Sequence, residues 1–378
     1  MSFTNNMSRH ELGLWLRLIR SQRWSRKQKH ALVTSLGSIE LAVNVQPTEA
    51  DMIFSQQSMT IRHRRVKKGV PQSVIDEDLS AIQKGQISLI TIFDSDYPDL
   101  LKHINDPPIA LFALGDQSLL DHPKVAIVGS RNPSPVGAKV AASIAQNLAE
   151  AGLTVVSGMA LGIDGLAHRS SLAARANTIA VLGSGIDVIY PSQNRHLYND
   201  LVAHGLVLSE YPFGFKPTRF SFPDRNRLVS GLSLGVVVVE AAEKSGTLIT
   251  ARMALEQDRE LMVVPGASVS HQYKGSHRLI QDGAALVTCA QDVLHELSPS
   301  LTHQMANYCS NFNNQGVEAK VSDSSRTIFN LLDYYSIDVD SLIQQSKLSH
   351  ARVMESLLEL EMDGLIASTA EGGYIKVM

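Results

Sequence analysis

The feature of this 378-residue sequence that most restricts its fold is a series of six short β-branched runs between residues 110 and 297. They lie at residues 125–128, 154–156, 178–182, 207–209, 236–239 and 261–264. Amphipathic stretches with helical spacing separate them, such as residues 138–151 and 247–257. Near-continuous apolar strands that alternate with helices are typical of a parallel sheet covered on both faces. The sequence therefore predicts an α/β fold with a Rossmann-like, mostly parallel sheet.

Glycine and hydroxyl residues follow several of these predicted strands. In such a sheet, ligands bind beyond the carboxyl ends of the strands, where helix N-termini offer free N–H groups. One glycine after a strand is as often a tight turn, but several such loops on one edge favour a phosphate cradle with charge from Arg131 and Lys244. The residues expected to face phosphate are Gly129, Ser130, Arg131, Ser157, Gly158, Gly162, Asp164, Lys244, Ser245, Gly246 and Thr247.

The segment 220–231 combines aromatic side chains with two arginines around an asparagine. Cations for the backbone and an aromatic face for a base are what a groove for a single strand requires. Phe222, Arg225, Asn226 and Arg227 are therefore candidates for binding DNA. The alternative is that the phenylalanines pack in the core while the arginines pair with acids such as Asp224.

Several motifs recur in a known order. They are GSR at 129–131, SGMALGID at 157–164, FPDRNRLVSGLS at 222–233, VVEAAEKSGTLITARMALEQDRELMVVPG at 238–266 and LIQDGA at 279–284. In order and spacing the stretch from about 110 to 290 resembles the DNA-processing protein A (Smf) family of recombination mediators. The loop at Lys274, which is also expected to contact DNA, departs from the family's usual pattern, and the N-terminal region lacks the family's glycine-rich hairpin.

The resemblance implies a function. Members bind single-stranded DNA, form homodimers through this domain, and load a RecA-type recombinase onto strands covered by single-strand binding protein, in DNA uptake and transformation or in recombinational repair. By the same resemblance, Arg131, Arg225, Arg227 and the loops at Ser157 and Ser245 would line a basic pocket, and Phe222 would stack on a base.

Enzymatic motifs are missing from the sequence. In the phosphoribohydrolases of the same superfamily a catalytic glutamate stands where this chain has Thr250, and GxGxxG, GxxxxGK[ST] and HExxH patterns do not occur. Asp164 and His168 could form an acid–base or metal pair, but a helix-capping aspartate and a structural histidine are favoured. Glu240 is expected to pair with an arginine. We expect no enzyme, cofactor or metal; the alternative is a nucleotide-binding enzyme or sensor that uses the cradle for one mononucleotide.

Four segments are predicted. Residues 1–85 form a helical domain of the SAM or helix-hairpin-helix type, 86–297 the Rossmann-like DNA-binding domain, 298–322 a flexible polar linker and 323–378 a winged helix. Basic residues of the first domain, including Arg62, Arg64, Arg65, Lys67 and Lys68, form either a solvated helix face or an auxiliary DNA contact.

The terminal module carries Arg326, Lys347, Arg352 and Lys376 against nine acids from Asp323 to Glu371. Such a surface repels phosphate, so a protein-contact role is expected instead of duplex binding. Over the whole chain the formal charge is only −3, and the two cysteines have no metal-site spacing. With no leader or apolar span, the sequence predicts a cytoplasmic protein that does not enter membranes.

Overall fold

A computed structural model describes residues 7–59, 69–312, 323–332, 337–362, 366–368 and 373–376. The chain forms two compact units, Met1–Ser298 and Pro299–Met378. The basic residues at positions 62–68 lie outside the described residues. None of the helices in the described ranges combines the length and hydropathy that a bilayer crossing requires.

The first unit is built on one nine-stranded sheet. Its strands are β1 (Ser88–Thr91), β2 (Ala110–Gly115), β3 (Lys124–Gly129), β4 (Thr154–Ser157), β5 (Thr178–Val181), β6 (Leu206–Ser209), β7 (Gly235–Val239), β8 (Glu260–Val264) and β9 (Ala285–Leu286). The order is β1-β2-β6-β5-β4-β3-β7-β8-β9. All seven strands from β3 to β9 in chain order are parallel to their neighbours within this group. The predicted mostly parallel sheet is confirmed; β1 and β2 add two antiparallel strands at one edge.

Helices precede the first strand, separate many of the strands and follow the last one. They are α1 (Arg9–Arg20), α2 (Arg26–Leu36), α3 (Ile39–Asn44), α4 (Pro47–Gln56), α5 (Gln72–Gly85), α6 (Asp99–Lys102), α7 (Pro135–Glu150), α8 (Ile163–Ala173), α9 (Arg195–His204), α10 (Ser221–Gly231), α11 (Thr247–Glu256), α12 (Lys274–Gln281) and α13 (Ala290–Phe312). The chain leaves β3 for β4 on one side, and β7 lies on the other side of β3. This reversal opens a crevice at the carboxyl ends of β3 and β7.

The N-terminal helices and the sheet share one hydrophobic core, although the sequence suggested two domains that meet near residue 85. Trp15, Leu16 and Phe54 belong to the same buried cluster as Phe112 on β2. The Arg20 side chain also pairs with Asp78 and donates to the Phe213 carbonyl at 3.0 Å. The apolar helix faces therefore have the sheet as part of their packing surface.

The predicted linker at 298–322 is partly wrong, because α13 continues to Phe312. Asn, Ser and Gln remove the apolar periodicity that marks a helix in sequence, but they do not prevent helical backbone. Residues 313–322 lie outside the described residues.

The second unit is a small winged-helix domain, as predicted. It contains α14 (Asp323–Leu331), β10 (Ile337–Asp338), α15 (Val339–Ser346), α16 (His350–Met362), β11 (Ile366–Ser368) and β12 (Gly373–Lys376). Its sheet has the order β10-β12-β11, and Ile328, Leu342, Val353 and Leu357 form its core.

The shared core predicts that damage to the sheet is felt in the N-terminal helices. Of the two tryptophans, Trp15 lies on α1 and Trp24 in the connection between α1 and α2, so their fluorescence reports on the N-terminal region alone. We expect Phe112→Ala to lower the free energy of unfolding by about 3–5 kcal/mol in urea titrations followed by tryptophan fluorescence. The exposed Leu41 offers a control, since Leu41→Ala should leave the transition nearly unchanged. The shared core would be contradicted if Phe112→Ala left the fluorescence transition unchanged while the transition followed by far-ultraviolet circular dichroism moved to lower urea concentration.

Candidate functional site

Three loops meet at the carboxyl edge of the sheet, after β3, β4 and β7. The Thr247 hydroxyl donates to the Gly129 carbonyl at 3.1 Å, which ties the start of α11 to the end of β3. The Ile163 N–H donates to the Ser130 carbonyl at 3.1 Å, which ties the start of α8 to the same loop. The structure thus brings together the loops that the sequence singled out.

Most of the predicted glycines serve close packing. A Cβ on Gly129 would collide with Ile163 and the Val239 carbonyl, and one on Gly162, whose φ is +75°, would collide with the Ser130 and Arg131 carbonyls. Gly158 lies against the Arg225 guanidinium, and its N–H donates to Asp164 Oδ2 at 3.1 Å. These glycines allow the loops to pack closely. The Gly158 N–H was expected to face phosphate, but it is already bonded to Asp164.

Gly246 differs from the other predicted glycines, because a Cβ there would meet no atom within 4 Å. It precedes α11, whose first turn has no side-chain cap on the N-cap position. The neighbouring Ser245 and Thr247 hydroxyls lie 3.0 Å apart. The Ser245 hydroxyl accepts the Thr247 N–H at 3.2 Å, and the next two N–H groups of α11 donate to the Ser245 and Gly246 carbonyls, so the N–H groups of this turn already have partners. Thr247 is buried, whereas Gly246 and Lys244 are exposed, so the loop offers open space and one charge instead of free donors.

Arg225 is not an exposed cation, which corrects the prediction that it meets phosphate. It is 4% exposed, and its Nη1 donates to the Gly158 carbonyl at 2.6 Å and to the Val181 carbonyl. Asp164 is buried beside it, so it too does not face solvent. Burial raises the pKa of Asp164, and the Arg225 charge acts against this rise.

Arg227 is likewise buried, at 6% exposure, and donates to both Glu210 carboxylate oxygens at 2.6 and 2.7 Å. The two arginines therefore have partners inside the protein, which was the alternative to binding DNA. Asp224, the acid named for that alternative, pairs instead with Arg26 at 3.1 Å. Asn226 accepts from Arg225 Nε at 3.2 Å. The Ser157 hydroxyl is also buried and donates to the Ile127 carbonyl at 2.6 Å, so it cannot meet phosphate.

The aromatic side chains behave in the opposite way, because they are accessible instead of packed in the core. The Arg131 guanidinium lies over the Phe222 ring, 5.4 Å from its centroid. Phe222 in turn contacts Tyr190, with ring centroids 5.5 Å apart. Tyr190 is 46% exposed and was missed in the sequence; its signal is an aromatic residue in the loop after a predicted strand. Phe220, under Arg219 at 4.6 Å, is another exposed ring nearby in the chain.

Lys274 is exposed at the start of α12. That helix is fixed to the loop after β7, since the Ser276 hydroxyl accepts the Ala241 N–H at 2.9 Å. Lys244 belongs to the loop after β7 and Lys274 to the helix fixed to that loop, while Arg131 belongs to the loop after β3. The exposed cations therefore lie on the two sides of the switch between β3 and β7.

The candidate acid and base residues have structural partners. His168 is fully buried, its Nδ1 lies 2.7 Å from Thr178 Oγ1, and burial lowers its pKa to about 3. Glu240 accepts hydrogen bonds from the Ser134 N–H and hydroxyl, not from an arginine as expected. Across the described ranges, no group of three or more His, Cys, Asp or Glu side chains could hold a metal ion.

Comparison with known proteins identifies the family. The family model described as DNA recombination-mediator protein A matches residues 88–298, and the DprA winged-helix model matches residues 315–372. The chain belongs to the DNA recombination-mediator protein A family. Because this is a family of recombination mediators, the prediction that the chain is not an enzyme is confirmed.

Individual relatives cover much of the chain. Protein Smf of Escherichia coli is 35% identical over 328 residues, which are 86% of this chain and 87% of that protein. The DNA processing protein DprA of Bacillus subtilis is 44% identical over 58% of this chain and 74% of its own length. The crystal structure of DprA from Streptococcus pneumoniae superimposes with a TM-score of 0.63 at 36% identity, over 75% of this chain and 97% of that one.

A second solved relative is DNA processing protein A from Helicobacter pylori, described for its single-stranded DNA binding mode. It has a TM-score of 0.51 and 35% identity, and the match covers 57% of this chain and 97% of that one. The family assignment thus rests on both sequence and structure.

The burial of Arg225 predicts a structural role. We expect Arg225→Met to lower the free energy of unfolding by about 3–5 kcal/mol, because it leaves the buried Asp164 without its neighbouring cation and two carbonyls without a donor. Urea denaturation of the full chain measures this change. The exposed Arg219 in the preceding loop is the matched control, and Arg219→Met should alter stability by less than about 0.5 kcal/mol. Equal stability of the two variants would show that Arg225 does not hold the site together.

Proposed function

We propose that this chain binds single-stranded DNA at the carboxyl edge of its sheet and delivers the strand to a RecA-type recombinase. The observation that carries the proposal is the row of Arg131, Phe222 and Tyr190, in which a cation and two accessible rings lie side by side. A cation can pair with a phosphate while a ring stacks on the adjoining base. No catalytic step is needed.

The accessible rings favour a single strand over a duplex. Bases of a duplex are stacked on each other, whereas an unpaired base can leave its neighbours and lie on an aromatic face. Phe222 is partly exposed on α10, next to the more exposed Tyr190. Gly183 allows this placement, because a Cβ there would lie 3.0 Å from the Phe222 ring.

The phosphate contacts are assigned to the exposed cations and the open loop. Arg131, Lys244 and Lys274 supply charge, and the exposed Gly246 leaves room for a phosphate to approach the start of α11. Arg225, Arg227 and Asp164 are assigned to support instead, because their side chains are buried. The described single-stranded DNA binding of the Helicobacter pylori relative supports a single strand as the ligand.

The partners proposed with this function are a RecA-type recombinase, single-strand binding protein and a second copy of the chain. Support for a homodimer comes from two exposed apolar side chains, Leu255 on α11 and Leu286 on the edge strand β9. The setting would be the cytoplasm. In the winged helix, exposed Met354 and Leu358 on α16 together with the excess of acids support contact with protein instead of DNA.

Arg131 should contribute a phosphate contact. Fluorescence anisotropy titrations with a labelled single-stranded oligonucleotide at several salt concentrations are expected to give weaker binding for Arg131→Ala. The slope of log K against log salt should fall by about 0.7 for the one phosphate lost. The exposed Arg9 on α1 provides a control of equal charge change, and Arg9→Ala should leave the slope unchanged. A shallow slope in the wild-type protein would favour the rival, a pocket for one mononucleotide.

Phe222 should act through stacking and not through charge. We expect Phe222→Ala to weaken single-strand binding by about 1–3 kcal/mol, because the base loses its aromatic partner, while the salt slope stays at the wild-type value. The same titrations measure both quantities, with unfolding curves to confirm that the variant is folded. Unchanged affinity in the folded variant would remove Phe222 from the site.

A further inference from the structure

A separate cavity of about 400 Å³ lies between the N-terminal helices and the connection that follows β6. Ile19–Gln22, Arg26 and Lys29 form one side, and residues 210–215 form the other. It shares no lining residue with the row of Arg131, Phe222 and Tyr190. A ligand held here would therefore be additional to the proposed strand.

The cavity wall carries three cations, Arg20, Arg26 and Lys29, and one carboxylate, Glu210. Both oxygens of Glu210 already accept from Arg227, at 2.6 and 2.7 Å. Arg26 is held by Asp106 at 3.3 Å and by Asp224 at 3.1 Å, so its position is fixed before any ligand arrives. The Arg20 guanidinium is fixed in the same way by Asp78.

Among the three cations of the cavity wall, Lys29 has the fewest negatively charged partners. Its ammonium donates to the Ile19 carbonyl at 2.7 Å, and within the described part of the chain it forms no salt bridge. Burial lowers the pKa of Lys29 to about 8, in spite of the charge of Glu210. An ammonium with donors to spare in a partly desolvated pocket is a place for an anion.

The opposite wall is aromatic. The rings of Tyr211 and Phe215 stack with centroids 4.4 Å apart and planes only 9° apart. Pro107 and Pro212 also line the cavity. A ligand that fits the cavity therefore joins an anionic group to a planar ring, and the volume lies at the small end of the range for small-molecule sites.

We propose that this cavity binds a nucleoside phosphate, with the phosphate beside Lys29 and the base against the wall of Tyr211 and Phe215. Two sources carry this chemistry, a free mononucleotide and the terminal nucleotide of a DNA strand. The site would place such a nucleotide next to Glu210, whose partner Arg227 belongs to α10, the helix that also carries Phe222.

Isothermal titration calorimetry of the full chain with adenosine 5′-monophosphate tests the site. We expect one nucleotide per chain, and a loss of affinity of about tenfold or more in Lys29→Met, as for a lost hydrogen bond to a charged group. Lys27 is exposed two residues earlier on α2, so Lys27→Met is the matched control and should bind as the wild type does. Phe215→Leu should weaken the nucleotide but not inorganic phosphate, which gives a second variant should Lys29→Met fold poorly.

Competition then separates the two sources. If a 5′-phosphorylated oligonucleotide displaces the nucleotide and its unphosphorylated form does not, the cavity binds strand ends. If neither oligonucleotide displaces it, the cavity binds free nucleotides. Absence of nucleotide binding to the wild-type chain would overturn the proposal, as would equal affinity in the folded Lys29→Met variant. So would loss of nucleotide binding in Arg131→Ala, since that places the nucleotide at the sheet edge. Titrations of Lys29→Met with the unphosphorylated single strand, expected to match the wild type, keep this outcome distinct from failure of the strand site.

Discussion

The Arg225 guanidinium is the interaction on which the candidate site depends. Its Nη1 joins the carbonyls of Gly158, after β4, and Val181, at the end of β5, while Asp164 on α8 lies beside it. These groups come from the β4–α8 connection and from β5, and α10 is fixed against both. Because α10 also carries Phe222, the buried arginine determines where the exposed ring lies.

The site therefore divides its residues into a buried layer and an accessible layer. In the buried layer, the missing side chains of Gly129, Gly158 and Gly162 allow the loops to approach one another. The accessible layer contains Arg131, the partly exposed Phe222, Tyr190 and the exposed Gly246 before α11. Buried charges need partners within the protein, whereas exposed ones remain free to meet a phosphate. A basic motif can thus support a DNA site without touching DNA.

Much of the fold could be predicted from the sequence, because strand and helix periodicity are local signals. The six β-branched runs correspond to β3–β8, and the Gly-rich loops meet as expected. Burial of individual side chains was not predictable, since it depends on distant partners: Arg227 lies 17 residues from Glu210, and Arg225 lies 67 from Gly158. The composition of 222–227 suits both a groove and a buried ion-pair network. Tyr190 was missed for the same reason, because its neighbour Phe222 is remote in sequence.

Photo-crosslinking shows which side chains contact the bases of a bound strand. A single-stranded oligonucleotide that contains 5-iodouracil, irradiated in complex with the full chain and mapped by mass spectrometry, reacts with aromatic side chains that stack on its bases. We expect crosslinks at Phe222 or Tyr190 that are lost when an unlabelled single strand competes. Crosslinks confined to the N-terminal helices or to the winged helix would contradict a strand site at the carboxyl edge of the sheet.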